Sequence, residues 1–310
     1  MNVIYDLDHI KKSDLPGVVT LGNFDGIHLG HKKIITRCIE EAKTINGPSI
    51  VVSYDHQRSA IFKDHREFIT STAEKIEILQ NLGVDILILI PFSEKVKNMR
   101  ADEFLKELLI HKLNTRIIVI GYDHHFGKNR EGNIHYLKNR ADEFNYKVIQ
   151  IEPVYYMDRI ISSSRIRSDL VMGDIKKINE QLGSQYQIFG KVVKGFQRGN
   201  ITGFPTANIQ ISDNKLLPID GVYYGIIKIP SQNITRTCVI NIGKNPTFNN
   251  NKLSVEVHIL DFAANIYDTP VQIYFVGRLR DEKKFDNIEN LKIQIKDDIE
   301  IARTFFKALF

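Results

Sequence analysis

Two histidines three residues apart, His28 and His31, stand in the run Gly22-Asn23-Phe24-Asp25-Gly26-Ile27-His28-Leu29-Gly30-His31. At the start of a helix this spacing puts both imidazoles on one side. Free backbone N–H groups and the positive helix end favour an anion there, above all phosphate. Gly30 leaves room for a nucleotide against the backbone. The plain alternative is a pair of solvated or N-capping histidines. Zinc chemistry lacks a third ligand at a suitable spacing, and no GxxxxGK[ST] run offers a P-loop. A second group, Ser162 to Arg167, brings Ser162, Ser163, Ser164, Arg165 and Arg167 into six residues. Hydroxyls and guanidiniums so close together can clamp a polyphosphate, or can be an ordinary serine cap with solvated arginines.

Two further groups lie in the second half of the chain. Gly190, Lys191, Gly195, Arg198 and Gly199 lead into Gly203-Phe204-Pro205-Thr206-Ala207-Asn208. Glycines around basic residues suit a loop folding over phosphates, or a simple hairpin. On a strand, Thr206 and Asn208 share one face, where their oxygens could hold a hard divalent cation. Farther on, Ser254, Glu256, His258 and Leu260 alternate with Val255, Val257 and Ile259. Glu256 is thus a mid-strand carboxylate, either a base or a surface glutamate on a wet face.

The elements that position these groups change character along the chain. In the first 180 residues, apolar runs at 18–21, 50–54, 85–90, 116–120 and 147–151 read as buried strands. Helical patterns lie between them, from about His28 to Lys43, from Ser71 to Gly83 with a Ser71/Glu74 capping box, over Ala101–Lys112 and over Asn133–Phe144. Two short helices follow near 165–172 and 175–181. Alternation of this kind predicts a parallel α/β sheet, with ligands beyond the carboxyl ends of its strands. Those ends carry the His28–His31 loop, Asp55-His56-Gln57-Arg58, and Gly121-Tyr122-Asp123-His124-His125-Phe126-Gly127-Lys128.

From Tyr186 the rhythm is all strand, at 186–193, 206–211, 221–229, 237–242, 253–260 and 271–279. Six strands without helices predict an antiparallel barrel or sandwich. The last 25 residues turn helical, with an expected Asp286/Glu289 cap. Ile288, Leu291, Ile295, Ile299, Ala302 and Phe306 form one apolar stripe, for packing on the outside of the barrel. The expected domains are 1–182 and 183–310, joined near Gln181–Gln185.

Composition sets the outer bounds. The 310 residues are 43% hydrophobic and 25% charged, with net charge +5, an ordinary globular balance. The charge suits handling of polyanions but is too weak a field to imply nucleic acid. Cys38 and Cys238 lie far apart and outside any CxxC pair, which argues against a disulfide framework and structural zinc. Met1–Asp8 does not read as a signal peptide, and no apolar run is long enough to span a membrane. The expectation is a cytoplasmic protein.

HxGH after the first strand and ISSSxxR after the last resemble the nucleotidylyltransferase superfamily. More narrowly, LGNFDGIHLGH, GYDHHFGKNREG, ISSSRIR and GFPTAN resemble the prokaryotic bifunctional riboflavin kinase/FMN adenylyltransferase (FAD synthetase) family, in that family's order. The resemblance implies a Rossmann-like N-terminal domain that transfers AMP from ATP to FMN, releasing pyrophosphate. It also implies a C-terminal six-stranded barrel that phosphorylates riboflavin. By it, His28 and His31 stabilise the ATP phosphates, Asn23, Phe24, Asp25 and Gly30 line the nucleotide pocket, and Ser162, Ser164, Arg165 and Arg167 hold the pyrophosphate, with Arg165 catalytic. Asp123 and Phe126 would sit by the flavin. In the barrel, Gly190, Lys191, Gly195, Arg198 and Gly199 would bind ATP, and Thr206 and Asn208 would bind Mg²⁺–ATP. Glu256 would be the base, and Asn245, Pro246, Thr247 and Phe248 would border the flavin. The implied partners are riboflavin, FMN, FAD and ATP, with Mg²⁺ as cofactor.

The chain departs from the family at Tyr54–Arg58, which lacks the prolines of a Phe-x-Pro-His-Pro segment. It departs again at His124 and His125, where an aromatic and a basic residue are usual. Two other readings stay open: an FAD synthetase with a vestigial kinase barrel, and a non-enzymatic flavin-binding regulator.

Overall fold

Burial explains where the strands of the first half form. The computed structural model describes residues 1–55, 67–195, 203–244 and 253–307. Within it β1 (Asn2–Tyr5), β2 (Gly17–Leu21), β3 (Ser49–Asp55), β4 (Ile86–Pro91), β5 (Thr115–Gly121) and β6 (Lys147–Ile151) make one parallel sheet. Val18, Val19, Val51, Leu87, Ile88 and Ile118 are almost wholly buried, so both faces of the central strands are covered. Such strands read as continuous apolar runs. β1 was not anticipated. It is a four-residue edge strand beside β4, too short and too exposed to show a pattern.

The strand order is β1-β4-β3-β2-β5-β6. From β2 the chain proceeds outward to β3 and β4, then crosses back to place β5 on the other side of β2. That reversal opens the crevice where ligands of such sheets bind. The loops leaving β2 and β5 flank it.

Helix α1 (Leu29–Thr44) turns Ile35, Cys38 and Ala42 into the core. Helix α2 (Thr72–Leu82) has the expected capping box, with Ser71 Oγ accepting from the Glu74 N–H and Glu74 accepting from the Ser71 N–H; Gly83 ends it in a left-handed conformation. A five-residue α3 (Glu94–Asn98) follows β4. The single helix expected over Ala101–Lys112 is instead a short α4 (Ala101–Glu103) passing into a π-helical stretch, Phe104–Lys112. The helix expected over Asn133–Phe144 is two, α5 (Ile134–Asn139) and α6 (Ala141–Phe144). They break at Arg140, whose side chain is tied to Asp102 and Glu143. A small hairpin, β7 (Tyr155–Tyr156) and β8 (Arg159–Ile160), turns through Met157 and Asp158, both with positive φ.

Packing divides the chain into two compact units, Met1–Ser163 and Ser164–Phe310. The expected boundary fell later, after residue 182. Helix α7 (Ser163–Met172) and α8 (Ile175–Leu182) explain the difference, because they pack with the strands that follow. The Ile219 N–H donates to the Leu170 carbonyl, and Asn179 donates to the Phe275 carbonyl at 2.9 Å while accepting from the Tyr186 N–H at 2.7 Å. The change of rhythm at Gly183 marks where helix gives way to strand, not where packing changes.

The second unit contains a closed antiparallel barrel. Its strands are β9 (Tyr186–Val193), β10 (Ala207–Ile211), β11 (Gly221–Ile229), β12 (Ile234–Lys244), β13 (Leu253–Ile259) and β14 (Pro270–Arg280), in the order β10-β13-β12-β11-β14-β9. Ile188, Tyr223, Ile240, Val257, Ile273 and Phe275 are fully buried. Helix α9 (Ile288–Lys307) lays Ile295, Ile299, Ala302 and Phe306 against Val222, Tyr224 and Val239. Its cap is Asn287, accepting from the Asn290 N–H, in place of the expected Asp286. Ile288, at the end of the stripe, stays exposed. Both cysteines are free and buried.

Candidate active sites

The loop after β2 is wound tightly. Phe24 (φ 47°), Gly26 (φ 86°) and Ile27 (φ 39°) all have positive φ, which a β-branched residue such as Ile27 rarely adopts. Burial of Phe24 and Ile27 among Ile35, Val51 and Leu79 holds it there. Phe24, expected in the nucleotide pocket, is thus largely a core residue, its ring nearly perpendicular to that of His31 with the centroids 5.3 Å apart. Asp25 is also buried and acts as a latch. Its Oδ1 accepts from the Thr70 N–H at 3.1 Å, Thr70 Oγ1 accepts from the Gly26 N–H at 2.9 Å, and its carbonyl accepts from Ser163 Oγ at 2.8 Å. The Asn23 carbonyl accepts from Ser53 Oγ at 3.0 Å.

His28 is the N-cap of α1. Its Nδ1 accepts from the His31 N–H at 3.3 Å, and the two rings stack at 3.7 Å. The capping alternative is therefore true, and it is compatible with an anion site at the same helix end. Gly30 has a local reason as well, since a Cβ there would lie 3.2 Å from the His28 ring. Burial pushes the His28 imidazole down to about 4. His31 is held well below the usual range by burial first, then by His28 and Lys75; its Nδ1 is buried without a partner. Both rings are therefore neutral near pH 7, at a helix end whose free N–H groups attract anions.

Beneath this loop lies Lys75, which sequence reasoning missed. Its side chain is 2% exposed, and Nζ donates to the Asn23 carbonyl at 2.8 Å, Ser53 Oγ at 2.9 Å and the Tyr54 carbonyl at 3.3 Å. The signal was its spacing. Lys75 stands four residues before Leu79, on the buried face of α2. Of the Asp55–Arg58 segment, Asp55 accepts from Thr72 Oγ1; His56, Gln57 and Arg58 lie outside the described residues.

After β5, Asp123 is exposed, whereas Phe126 is buried against Phe104 and Tyr136 and stacked near His124. Phe126 exchanges two backbone hydrogen bonds with Gly132 at 2.9 Å, so it anchors its loop. Burial drives His124 down to about 4 and leaves its Nε2 without a partner. The Ser162–Arg167 group straddles the division between units. Ser162 and Ser163 belong to the first. Ser164 is exposed and Arg165 and Arg167 are half-buried, all three at the start of α7.

In the barrel, β10 lies beside β13 with Asn208 opposite Glu256, and Asn241 of β12 faces Glu256 from the other side. Thr206 Oγ1 donates to Glu256 Oε2 at 3.4 Å. His258 Nδ1 donates to the Pro205 carbonyl at 2.8 Å, which fixes the turn just before Thr206. Gly195 leaves room for the Asn208 amide, since a Cβ there would lie 2.0 Å from Asn208 Nδ2 and would push that side chain aside. Gly190 is required by packing, as a Cβ would come within 2.5 Å of Ile209. Lys191, expected on phosphate, pairs with Asp268 at 2.7 Å, and that bond holds the Asp268 carboxyl below the usual range. Arg198, Gly199, Asn245, Pro246, Thr247 and Phe248 lie outside the described residues.

The donor set of the barrel is hydroxyl, amide and carboxylate oxygen, which fits a hard divalent cation such as Mg²⁺. Among the described residues no group of three or more His, Cys, Asp or Glu could hold a metal. A cation bound at Thr206 and Asn208 would take further ligands from water and phosphate oxygens.

A parallel sheet with an imidazole-capped helix at its switch point, joined to a small closed barrel, defines a two-domain nucleotide-dependent transferase. Residues 10–165 match the family model described as FAD synthetase, and residues 182–306 match the one described as riboflavin kinase. The chain is 32% identical to the bifunctional riboflavin kinase/FMN adenylyltransferase of Buchnera aphidicola subsp. Schizaphis graminum, over 100% of both chains. It is 34% identical to that of Haemophilus influenzae, over 94% of both. A crystal structure from Streptococcus pneumoniae, described as a macrolide-efflux protein, superposes with TM-score 0.87 at 33% identity, covering 98% of this chain and 99% of that one. Among the described residues of this chain no helix is long and apolar enough to cross a membrane. The chain belongs to the bifunctional riboflavin kinase/FMN adenylyltransferase family.

Proposed function

We propose that the two activities of this family reside in separate halves, adenylylation of FMN in residues 1–182 and phosphorylation of riboflavin in residues 183–310. The overall chemistry is riboflavin plus ATP to FMN, then FMN plus ATP to FAD and pyrophosphate. Helices α7 and α8 pack with the barrel, yet Arg165 and Arg167 serve the first reaction in this reading. The setting is the cytoplasm, where ATP and both flavins are dissolved.

In the first half the attacking group is the FMN phosphate, already an anion. Little is left for a general base, and the work is alignment and charge neutralisation at the α-phosphate. The α1 N-terminus with His28 and His31 suits that role. Two neutral imidazoles let the helix-end N–H groups meet a polyanion, and they can take up charge as it arrives. Ser162, Ser164, Arg165 and Arg167 take the departing pyrophosphate. Asn23, Asp25, Asp123 and Phe126 shape the pocket, Asp25 and Phe126 as supports buried behind its surface.

In the barrel the nucleophile is the terminal ribityl hydroxyl, a primary alcohol that gains from a base. Glu256 accepts its proton while the oxygen bonds to the γ-phosphorus and ADP departs. Thr206 and Asn208 would hold Mg²⁺. When bound, that cation would neutralise phosphate charge. The observation that carries the reading is the meeting of Thr206, just before β10, and Asn208 of β10 with Glu256 of the adjacent β13, from segments some 50 residues apart in sequence. The test is to incubate the full chain with riboflavin or FMN plus ATP and separate the products by chromatography. FMN without FAD would refute the first-half assignment, and FAD only from supplied FMN would refute the kinase.

A further inference from the structure

Lys75 is a buried cation whose nearest partners are all uncharged oxygens. An ammonium taken out of water is costly unless it is paired or fully bonded. Here Nζ donates to three oxygens, the Asn23 carbonyl, Ser53 Oγ and the Tyr54 carbonyl. Those acceptors are not scattered. Asn23 begins the strained loop after β2, while Ser53 and Tyr54 close the carboxyl end of β3. The Ser53 hydroxyl completes the knot by donating to the same Asn23 carbonyl. Asn23 lies five residues before the helix cap at His28, and the stretch between them holds three positive-φ residues, Phe24, Gly26 and Ile27.

We propose that Lys75 is a positioning residue for adenylyl transfer, its buried ammonium tying the ends of β2 and β3 together and so setting the loop that presents His28 and His31. The role rests on the reading of that loop as the adenylyl-transfer site. A neutral side chain of the same length would fill the space but leave the Asn23 and Tyr54 carbonyls without this donor, and the loop would lose its fixed starting point. Displacement of helix-end donors by about an ångström costs on the order of 10²-fold in rate.

The electrostatic setting adds a pH signature. Burial lowers the Lys75 ammonium to about 8, while Asp25 from the loop and Asp55 from β3 act in the opposite sense. The other groups facing it are Tyr54 of β3, neutral and pushed higher by burial, and His31 of α1, beside His28, both neutral; Glu74 neighbours it on α2 and is engaged in the capping box. As pH rises through about 8 the ammonium loses its charge and one of its three donors. Adenylyl transfer then weakens, while the kinase reaction, in another unit, has no such dependence.

The test compares the full chain with Lys75→Met and Ser53→Ala. Both reactions are followed between pH 6.5 and 9.5, with kcat and KM for ATP measured separately and the thermal transition of each variant recorded. If wild-type protein makes no FAD from FMN at all, the first-half assignment has failed, and this inference with it. Given FAD synthesis, Lys75→Met is expected to lower kcat/KM for ATP about 10²-fold in that reaction alone and to remove the fall above pH 8; Ser53→Ala is expected to lower it a few-fold. Riboflavin phosphorylation should stay within about twofold in both. FAD synthesis at wild-type kcat/KM in Lys75→Met, or an alkaline fall that persists there unchanged, overturns the proposal. Should Lys75→Met fail to fold, the decision passes to the wild-type profile and to Ser53→Ala. A flat profile with an unaffected Ser53→Ala overturns the proposal, and an alkaline fall confined to FAD synthesis with a weakened Ser53→Ala upholds it.

Discussion

Asn208 and Glu256 face each other across the β10–β13 ladder, and the hydroxyl of Thr206, two residues before Asn208, reaches the Glu256 carboxylate at 3.4 Å. A carboxylate so placed is the one side chain of this group able to take a proton from an alcohol. Glu256→Gln keeps the shape and removes the base. FMN formation is expected to fall roughly 10²- to 10⁴-fold, with FAD synthesis from supplied FMN unchanged. Chromatography of both reactions on one preparation checks it. Loss of both activities in a folded variant would break the two-site account.

His31→Ala should give the mirror image. The ring of His31 stacks on His28 and makes a T-shaped contact with Phe24, so its removal strips the α1 N-terminus of one of its two imidazoles. FAD synthesis is expected to drop about 10²- to 10³-fold, while riboflavin phosphorylation persists. Steady-state rates with FMN and with riboflavin as acceptors decide.

Acid should weaken the first unit before pH 4 is reached. His28 and His124 both lie near 4 when folded, against 6.5 for a free imidazole, because burial disfavours their charged forms. The unfolded chain therefore binds more protons than the folded one below 6.5. The stabilisation is fully present above that value and disappears as pH falls toward 4. For His28 alone the window is worth about 3 kcal/mol. Thermal transitions at pH 7.5, 5.5 and 4.5 should fall in step, and His28→Gln should flatten the slope. An unchanged transition temperature down to pH 4.5 contradicts the assignment.

Chelation is expected to stop the barrel reaction. Thr206 and Asn208 offer too few protein oxygens to hold a cation tightly without phosphate, so EDTA should abolish FMN formation and excess Mg²⁺ should restore it. Thr206→Val should raise the Mg²⁺ concentration needed for half-maximal rate, read from a titration at fixed ATP.

Helix α9 is held to the barrel by a buried ion pair. Arg280 reaches both Asp298 oxygens, at 2.8 to 3.1 Å, and Gln294 adds a bond to the same carboxylate. Asp298 is 3% exposed. Arg280→Leu leaves that carboxylate buried without its cation, at a cost of about 3–5 kcal/mol. Urea unfolding followed by far-ultraviolet dichroism measures it.

Much of this architecture was legible because it is written locally. Strands β2 to β6 show as apolar runs buried on both faces, and Ser71/Glu74 announces its helix through a contact three residues long. The barrel strands show through alternation, as in Val255, Val257 and Ile259. What stayed hidden depends on distant partners. β1 is a strand only because β4 offers it an edge. Arg140, where the helix breaks, pairs with a distant Asp102, and the packing of α7 and α8 on the barrel uses Phe275 and Ile219. Of the candidate site, His28, His31, Thr206, Asn208 and Glu256 stood out as residue types at telling spacings. Phe24 and Phe126 were legible as loop aromatics but not as buried anchors. Lys75 carried only the faint signal of its spacing to Leu79, and a lysine's usual exposure hid it.

The seam of the barrel has a consequence for folding. Only Ala207, Asn208 and Ile209 of β10 pair with β13, and they do so across about 50 residues of intervening chain. Every other junction of the barrel is longer. Closure at this junction carries a large loop-entropy cost with few ladder bonds to offset it. Yet Asn208 and Glu256 meet nowhere else. A refolding chain will therefore regain its tyrosine burial and helix signal first, and its phosphorylating power last, when the ring of strands shuts.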